Sequence, residues 1–350
     1  MIVIKEKELY SFCYECLLKY NMSEEDSKTV SMCLVKTDKW GINTHGTKNL
    51  YGYIKKNIAG GVSFKDRPVI EKNYTSMALI DANNTLGYIP ATMAMNIACD
   101  KAEKSGIAIV IVKNSCHYGA GALYANIASD RGMIGIAISN VDKKMTIPGA
   151  RGMVIGHNPF SLSAPANILP SIFLDASSSN VSSLKVLTAK AKGTEIPNNW
   201  ICDKDGMPTN DPSKYPDEGA LLPMGNHKGY GIALFIDILT GVIASSLNSI
   251  SNDIPSWCFD IEVPNKVSHT FIAINPNLLC ENFKERVDEL IESIHSFPKA
   301  SNVEKIYVPG EIEWNKYMAT ENDKTINLPD DVFDELEKLS RLVGVELKVL

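Results

Sequence analysis

The stretch Ile107-Ala108-Ile109-Val110-Ile111-Val112-Lys113-Asn114-Ser115-Cys116-His117-Tyr118-Gly119-Ala120-Gly121 constrains this chain more than any other. An apolar, β-branched run of strand length breaks into a polar, glycine-rich turn that carries an imidazole. A helical pattern from Ala122 to Arg131 follows. In α/β proteins ligands bind at the mouth formed by the C-terminal ends of strands. His117 at such an edge is placed to move protons near neutral pH. The competing reading is a surface histidine in an ordinary loop.

The rest of the chain repeats this rhythm. Strand-type runs (Met77–Ile80, Met133–Ser139, Ile172–Leu174, Thr270–Ile274) alternate with helical ones (Ala91–Lys104, Ile232–Ser245, Asn282–Ser296), which predicts an α/β core. Both chain ends read as helical. Ser23-Glu24-Glu25-Asp26 resembles a capping box, its helix ends near Trp40-Gly41, and a further amphipathic piece stops at Gly60-Gly61. The tail from Pro329 to Gly344 is again helical. This predicts a discontinuous helical domain, 1–75 with 312–350, around an α/β core over 76–311. At 350 residues the length suits about two domains.

A net charge of −6 and no basic run argue against nucleic acid or an anionic membrane as partner. The greasy stretch from Ile232 to Ala244 is too short to cross a bilayer and reads as a buried core helix. With eight cysteines scattered, and a start that turns charged too early for a secretory signal, reduced thiols in the cytoplasm are expected. Cys13 and Cys16 have redox or zinc spacing but sit in a helical pattern and read as core thiols.

Other segments look chemical. Asp175 ends an apolar run and precedes Ala176-Ser177-Ser178, which suits ribose hydroxyls or backbone capping equally. Gly156-His157-Asn158-Pro159 is a turn where backbone can approach a ligand closely. Lys228, in Gly225-Asn226-His227-Lys228-Gly229, stands at a helix start that can hold a phosphate or carboxylate. Cys116 and His117 are sequence neighbours and poorly placed to form a dyad. No Gly-x-Gly-x-x-Gly fingerprint is present; the nearest approach, Gly119-Ala120-Gly121-Ala122-Leu123-Tyr124, lacks the third glycine.

Taken in order, seven segments resemble the malate/L-lactate dehydrogenase family, which includes ureidoglycolate, sulfolactate, diketogulonate and piperideine-carboxylate oxidoreductases. They are Asp38–Gly46, Asn114–Ala120, Gly156–Pro159, Leu174–Ser178, Asp203–Thr209, His227–Gly231 and Tyr307–Glu311. The resemblance implies an α/β, non-Rossmann nicotinamide-binding core, NAD or NADP as cofactor, and homodimers with the active site near the subunit interface. It implies hydride transfer to or from a small anionic substrate, a 2-oxo/2-hydroxy acid or a cyclic imino acid.

By that resemblance His45 and His117 match the two active-site histidines, with His117 favoured as acid/base. Asp142 is our own candidate for orienting an imidazole. Asp175, Ala176, Ser177, His157, Asn158, Lys228, Gly310 and Glu311 fall in cofactor-contacting segments, and Thr44, Lys48, Asn49, Tyr53 and Arg151 on the substrate side. The chain departs from the family inside these segments. Asn49 replaces an arginine expected to hold the substrate carboxylate, Val141 a serine and His157 a threonine. Leu184-Lys185 stands where a Gly-Lys pair is usual, and Arg151 is introduced in the turn Pro148–Gly152. Lys48 and Arg151 are the expected substitutes for the lost arginine. The departures also leave open a protein that binds an anionic metabolite without hydride transfer. A metal enzyme built on His45, His117 and His157 is a further alternative.

Overall fold

The protein is described by a computed structural model covering residues 1–251 and 253–350. In chain order the elements are β1 (Ile2–Lys5), α1 (Glu6–Lys19), α2 (Glu24–Lys39), α3 (Leu50–Ile58), β2 (Val69–Asn73), β3 (Met77–Asp81), α4 (Tyr88–Ser105), β4 (Ile107–Ser115) and α5 (Ala122–Asp130). They continue with β5 (Ile134–Ser139), β6 (Lys143–Met145), β7 (Ile155–Gly156), β8 (Phe160–Ala164), β9 (Ile172–Ala176), α6 (Ser183–Lys192), β10 (Ile201–Cys202), β11 (Pro208–Thr209) and β12 (Ala220–Leu221). The last are α7 (His227–Asp237), a π-helical turn (Ile238–Val242), β13 (Val267–Ile274), α8 (Phe283–Ser296), α9 (Glu311–Asp323), β14 (Thr325–Leu328) and α10 (Asp330–Val343).

The main sheet has seven strands in the order β2-β3-β4-β13-β5-β8-β9. Only β3 and β4 run parallel; each of the other pairings is antiparallel. The register still gathers four C-terminal strand ends on one edge. Asp81 lies level with Lys113, Ser115 with Val267, Ser139 with His269, and Phe160 with Ala176. The chain leaving β4 carries His117, that leaving β5 carries Asp142, and Asp175-Ala176 closes β9. A smaller sheet, β11-β10-β12-β6-β7, stands beside this edge.

The three central strands are locked by one buried side chain. His269 of β13 is fully buried; its Nδ1 lies 2.8 Å from Ser139 Oγ on β5 and its Nε2 3.0 Å from Ser115 Oγ on β4. Tyr118 stacks on its ring at 4.3 Å. The apolar cluster under the sheet runs without a break from Val110 and Phe271 to Leu9, Leu34 and Leu336 of the terminal segments.

Two sequence expectations need correction. The N-terminus opens as a strand, β1, paired antiparallel with β14, before α1 begins. The greasy stretch after Ile232 is not a wholly buried core helix. Ile232, Phe235, Ile238 and Val242 form one exposed stripe, with Phe235 64% exposed. Their three- and four-residue spacing is that of a single helix face. Cys13 and Cys16 are buried in the core. No described helix is long and apolar enough to cross a membrane.

Burial pushes His269 down to about 3, outweighing the opposing effect of the Cys116 carbonyl. Below pH 6.5 an unfolded imidazole takes up a proton that the folded one refuses. Stability is therefore full above about pH 6.5 and is lost as pH falls from there towards 3. By pH 5.5 the loss from this group is on the order of 1 kcal/mol. Urea unfolding across this range should show that decline, and His269→Asn, which does not titrate, should make it shallower. An equally steep decline in the variant would show that His269 is not its source.

Candidate active site

From Ser115 to Asn126 every residue is buried except His117, which is half-buried. The β4 turn thus points one imidazole outward from an otherwise sealed segment. Gly87 permits this approach: a Cβ there would lie 2.2 Å from the Cys116 carbonyl oxygen. Burial pushes the Cys116 thiol up to about 11, so it stays protonated at neutral pH.

His117 lies against two rings. Trp257 stacks on it at 4.6 Å and 13°, and His45 lies at 5.7 Å and 29°. Trp257 belongs to a segment pinned from below by fully buried Lys56, which donates to the carbonyls of Asp260 (2.8 Å) and Val263 (2.7 Å).

His117 Nδ1 is 2.6 Å from the Tyr53 hydroxyl, Tyr53 is 3.3 Å from the Tyr88 hydroxyl, and Tyr88 donates to the His45 carbonyl at 3.3 Å. A carbonyl can only accept, which sets the direction of this relay. Each group donates once when Nδ1–H points to Tyr53, Tyr53 to Tyr88, and Tyr88 to the carbonyl. Nε2 of His117 is then the free acceptor. Burial raises both phenols, so they remain donors at neutral pH.

The His45 loop is organised by Asp38, at the C-terminal end of α2. Its buried carboxylate accepts from Thr47 N (3.0 Å), Thr47 Oγ1 (2.6 Å) and Asn43 Nδ2 (3.0 Å). Burial raises this carboxyl to about 6 against those hydrogen bonds. Gly46 is required because a Cβ there would lie 2.0 Å from Asp38 Oδ1. His45 Nδ1 contacts Thr44 Oγ1 at 2.8 Å.

Burial lowers both active-edge imidazoles. Asp175 partly offsets this at His45, whereas Lys144 reinforces it. For His117 the neighbouring cations or imidazoles of His45, Lys144, His269 and His157 push the same way, well below 6.5. His157 falls to about 3 through burial and then Lys144 and His45, and its Nδ1 has no hydrogen-bond partner.

The remaining expected residues are placed as follows. Asp142 does not orient an imidazole: its carboxylate sits 3.4 Å from Lys144 Nζ, and Tyr53 holds His117 instead. Tyr53 is fully buried behind His117, so it cannot line a substrate surface. Lys48 is engaged by Asp331 of α10, and Asn49 donates to the Thr44 carbonyl at 3.0 Å. Arg151 is 75% exposed and 3.7 Å from Asp205. It lines a cleft of about 400 Å³ with Thr146, Pro148, Gly206 and Asn226, whose walls include none of the histidines.

On the cofactor side, Asp175 accepts from Ser161 Oγ (2.6 Å) and from Ala122 N at the start of α5 (3.1 Å). Ser177 Oγ meets Ser179 Oγ at 3.0 Å, with Ala176 next to Asp175 at the end of β9. Asn158 is spent on structure, accepting from Val141 N (3.1 Å) and donating to Ala233 O (2.9 Å). Glu311 is consumed by Lys305, His295 and Val308 N, a fastening at the start of α9 rather than a free carboxylate. Gly310, at φ 84°, is pressed by Phe173, 2.6 Å from where a Cβ would sit. Lys228 is exposed in the first turn of α7. Among the described residues no group of three His, Cys, Asp or Glu could hold a metal ion.

Sequence reasoning missed Tyr88, Lys144, Trp257 and His269. None carries a local motif. The Lys144 signal was an extra charge between β5 and β7, unremarked beside the changed turn that follows it.

The malate/L-lactate dehydrogenase family model matches residues 4–337, and the chain belongs to that family. It is 34% identical to malate dehydrogenase of Pyrococcus abyssi, covering 98% of this chain and 95% of that protein. It superposes on the solved sulfolactate dehydrogenase of Methanocaldococcus jannaschii with a TM-score of 0.90 at 30% identity, covering 99% and 98% of the two chains. Ureidoglycolate dehydrogenase (NAD(+)) of Escherichia coli is 27% identical over 95% of this chain and 94% of its own.

Asp38→Ala should destabilise the protein by roughly 2–3 kcal/mol in urea unfolding, because it strands Thr47 and Asn43 donors in a buried site. Asp38→Asn, which keeps one acceptor, should cost less.

Proposed function

We propose that the protein is an oxidoreductase that moves hydride between NAD(P)H and a small 2-oxo or 2-hydroxy acid, with His117 as proton donor and acceptor. The observation that carries this is the single half-exposed imidazole of the β4 turn. Its Nδ1 is bound to Tyr53 and its Nε2 is left as the acceptor.

Several features suit a dinucleotide. Buried polar atoms without partners, His157 Nδ1 and Ser178 Oγ, flank the segment after β9. Beside them α7 begins at Asn226 with no side-chain cap, next to Lys228 and the Arg151 cleft. An uncapped helix N-terminus with nearby cations suits phosphate. The bound nicotinamide would supply or accept the hydride. NAD and NADP both remain open to the site. The receiving scaffold would be the mixed, largely antiparallel sheet, which accounts for the missing glycine fingerprint.

The chain's own residues would handle the proton. In oxidation of a hydroxy acid, Nε2 takes the hydroxyl proton while Nδ1–H stays on Tyr53. Trp257 faces the resulting imidazolium, a favourable cation–π arrangement. In reduction the same imidazolium gives its proton to the developing oxyanion. All eight cysteines are unpaired, which fits a reducing compartment such as the cytoplasm.

His117→Ala should lower kcat by roughly 10²- to 10⁴-fold while NADH or NADPH still quenches or shifts fluorescence on titration. Because the folded imidazole lies below 6.5, oxidation should hold steady above that pH and fall as pH drops through the lowered value. Reduction should rise over the same interval. Failure of the folded protein to bind either nucleotide would replace this reading with a metabolite-binding role.

The homodimer belongs to the same proposal. The Ile232, Phe235, Ile238 and Val242 stripe is the apolar face a second copy would cover. Phe235→Glu should shift the protein to monomer in sedimentation; an unchanged sedimentation coefficient would place the interface elsewhere.

A further inference from the structure

Among the charged groups near the histidines, Lys144 has no role in the proton relay. It is the extra residue of a β-bulge: Lys143 pairs with Gly156 and Met145 with Ile155, leaving Lys144 between them. Bulges re-aim side chains, and here the two lysines diverge. Lys143 reaches outward to Asp253, which is almost fully exposed, at 2.8 Å. Lys144 is 20% exposed and sits 3.4 Å from Asp142, itself mostly buried. Its charge bears on His45, His117 and His157, the imidazoles gathered at the strand edge.

The two cations offered from the sequence as substitutes for the missing arginine are engaged elsewhere. Lys48 is held by Asp331, Arg151 faces Asp205 at the surface, and Asn49 carries no charge. We infer that Lys144 anchors the carboxylate of the substrate, keeping Asp142 on one of its three N–H donors and offering the others to the incoming anion. The inference rests on the reading of His117 as the proton-transfer group, and it adds the group that fixes the substrate beside it. The Lys144–Asp142 contact is long for a charge-assisted hydrogen bond, and among the described residues no hydrogen bond joins Lys144 to a backbone carbonyl. A lysine offers a point charge rather than a bidentate fork, so the subsite would accept a carboxylate in more than one orientation.

Binding of oxamate, an unreactive anion with the shape of a 2-oxo acid, tests this against its neutral counterpart oxamide. Thermal shift and calorimetry are run with and without NADH. The wild-type protein should bind oxamate and ignore oxamide. Lys144→Met should weaken oxamate binding and raise KM for a 2-oxo acid by roughly 10- to 100-fold, with NADH affinity unchanged. Lys144→Arg should recover most of the loss and also serves if the methionine variant folds poorly. Removing the cation should also move the acid limb of the pH profile upward, while the split between a raised KM and an unchanged NADH affinity separates anchoring of the substrate from a structural role. The groups facing Lys144 that share in this titration are Asp142, His45, His117, His157 and Tyr215.

Unchanged oxamate affinity and KM in Lys144→Met would overturn the inference while leaving the oxidoreductase reading intact. Lys144-dependent oxamate binding without nucleotide binding or turnover would do the reverse. Absence of oxamate binding by the wild type in both conditions would also overturn it.

Discussion

The buried imidazole of His269 is the interaction on which the site depends. It bridges Ser115 and Ser139 across three adjacent strands, at the level where two of them end. Both serines stand within three residues of a side chain at the strand edge: Ser115 precedes His117, and Ser139 precedes Asp142. Fixing the strand ends to one another therefore fixes the imidazole relative to the carboxylate and to Lys144 beyond it. The cost is a titratable ring sealed in the core, tolerable only because both nitrogens have partners. Tyr118, stacked on that ring, prevents the β4 turn from rotating and leaves His117 as the residue that reaches open space.

Around His117 the aromatic groups divide the work. Tyr53 and Tyr88 set which nitrogen carries the proton, because their chain of hydroxyls ends on a carbonyl. Trp257 and His45 both lie against the His117 ring. No carboxylate backs this imidazole, unlike the arrangement in which an aspartate holds a histidine and stabilises its charged form. A phenol is a weaker acceptor than a carboxylate and leaves the ring with lowered basicity, in keeping with the direction burial imposes. A neutral histidine at rest suits a group that must take a proton in one direction and give it in the other.

Much of the scaffold was legible because it is local. The run Ile107–Val112 and the helices flanking it follow from apolar pattern and length, and His117 stands out at the break in that run. The partners of His117 were not legible, since Tyr53, Tyr88 and Trp257 lie far from it in sequence and come together only through the sheet. The short strands β6, β7 and β10 to β12 carry too few residues for a periodic signal. The stretch after Ile232 misled for a physical reason: apolar residues on every face predict burial, yet one face is exposed in the isolated chain. Family resemblance supplied the order of the segments; Lys48 and Arg151, the substitutes offered for its missing arginine, face Asp331 and Asp205.

The π-helical turn at Ile238–Val242 shows how the exposed helix is tied to this edge. Widening the helix by one residue brings Gly241 against the Leu247 carbonyl, where a Cβ would sit 2.0 Å away. That same carbonyl accepts from Asn140, whose Oδ1 in turn accepts from Ser268 N, next to His269. Thr270 on β13 donates to the Leu239 carbonyl inside the widened turn, satisfying a backbone group in the altered helical turn. The turn therefore couples the apolar stripe to β13, which carries His269, and to the end of β5. Pressure on Ile238 or Val242 from a covering surface would be transmitted to Asn140 and Ser268 over a short chain of hydrogen bonds. A surface covering the stripe would thus bear on the strand edge through one irregular turn, and a regular α-helix there would lack the contact that makes the link.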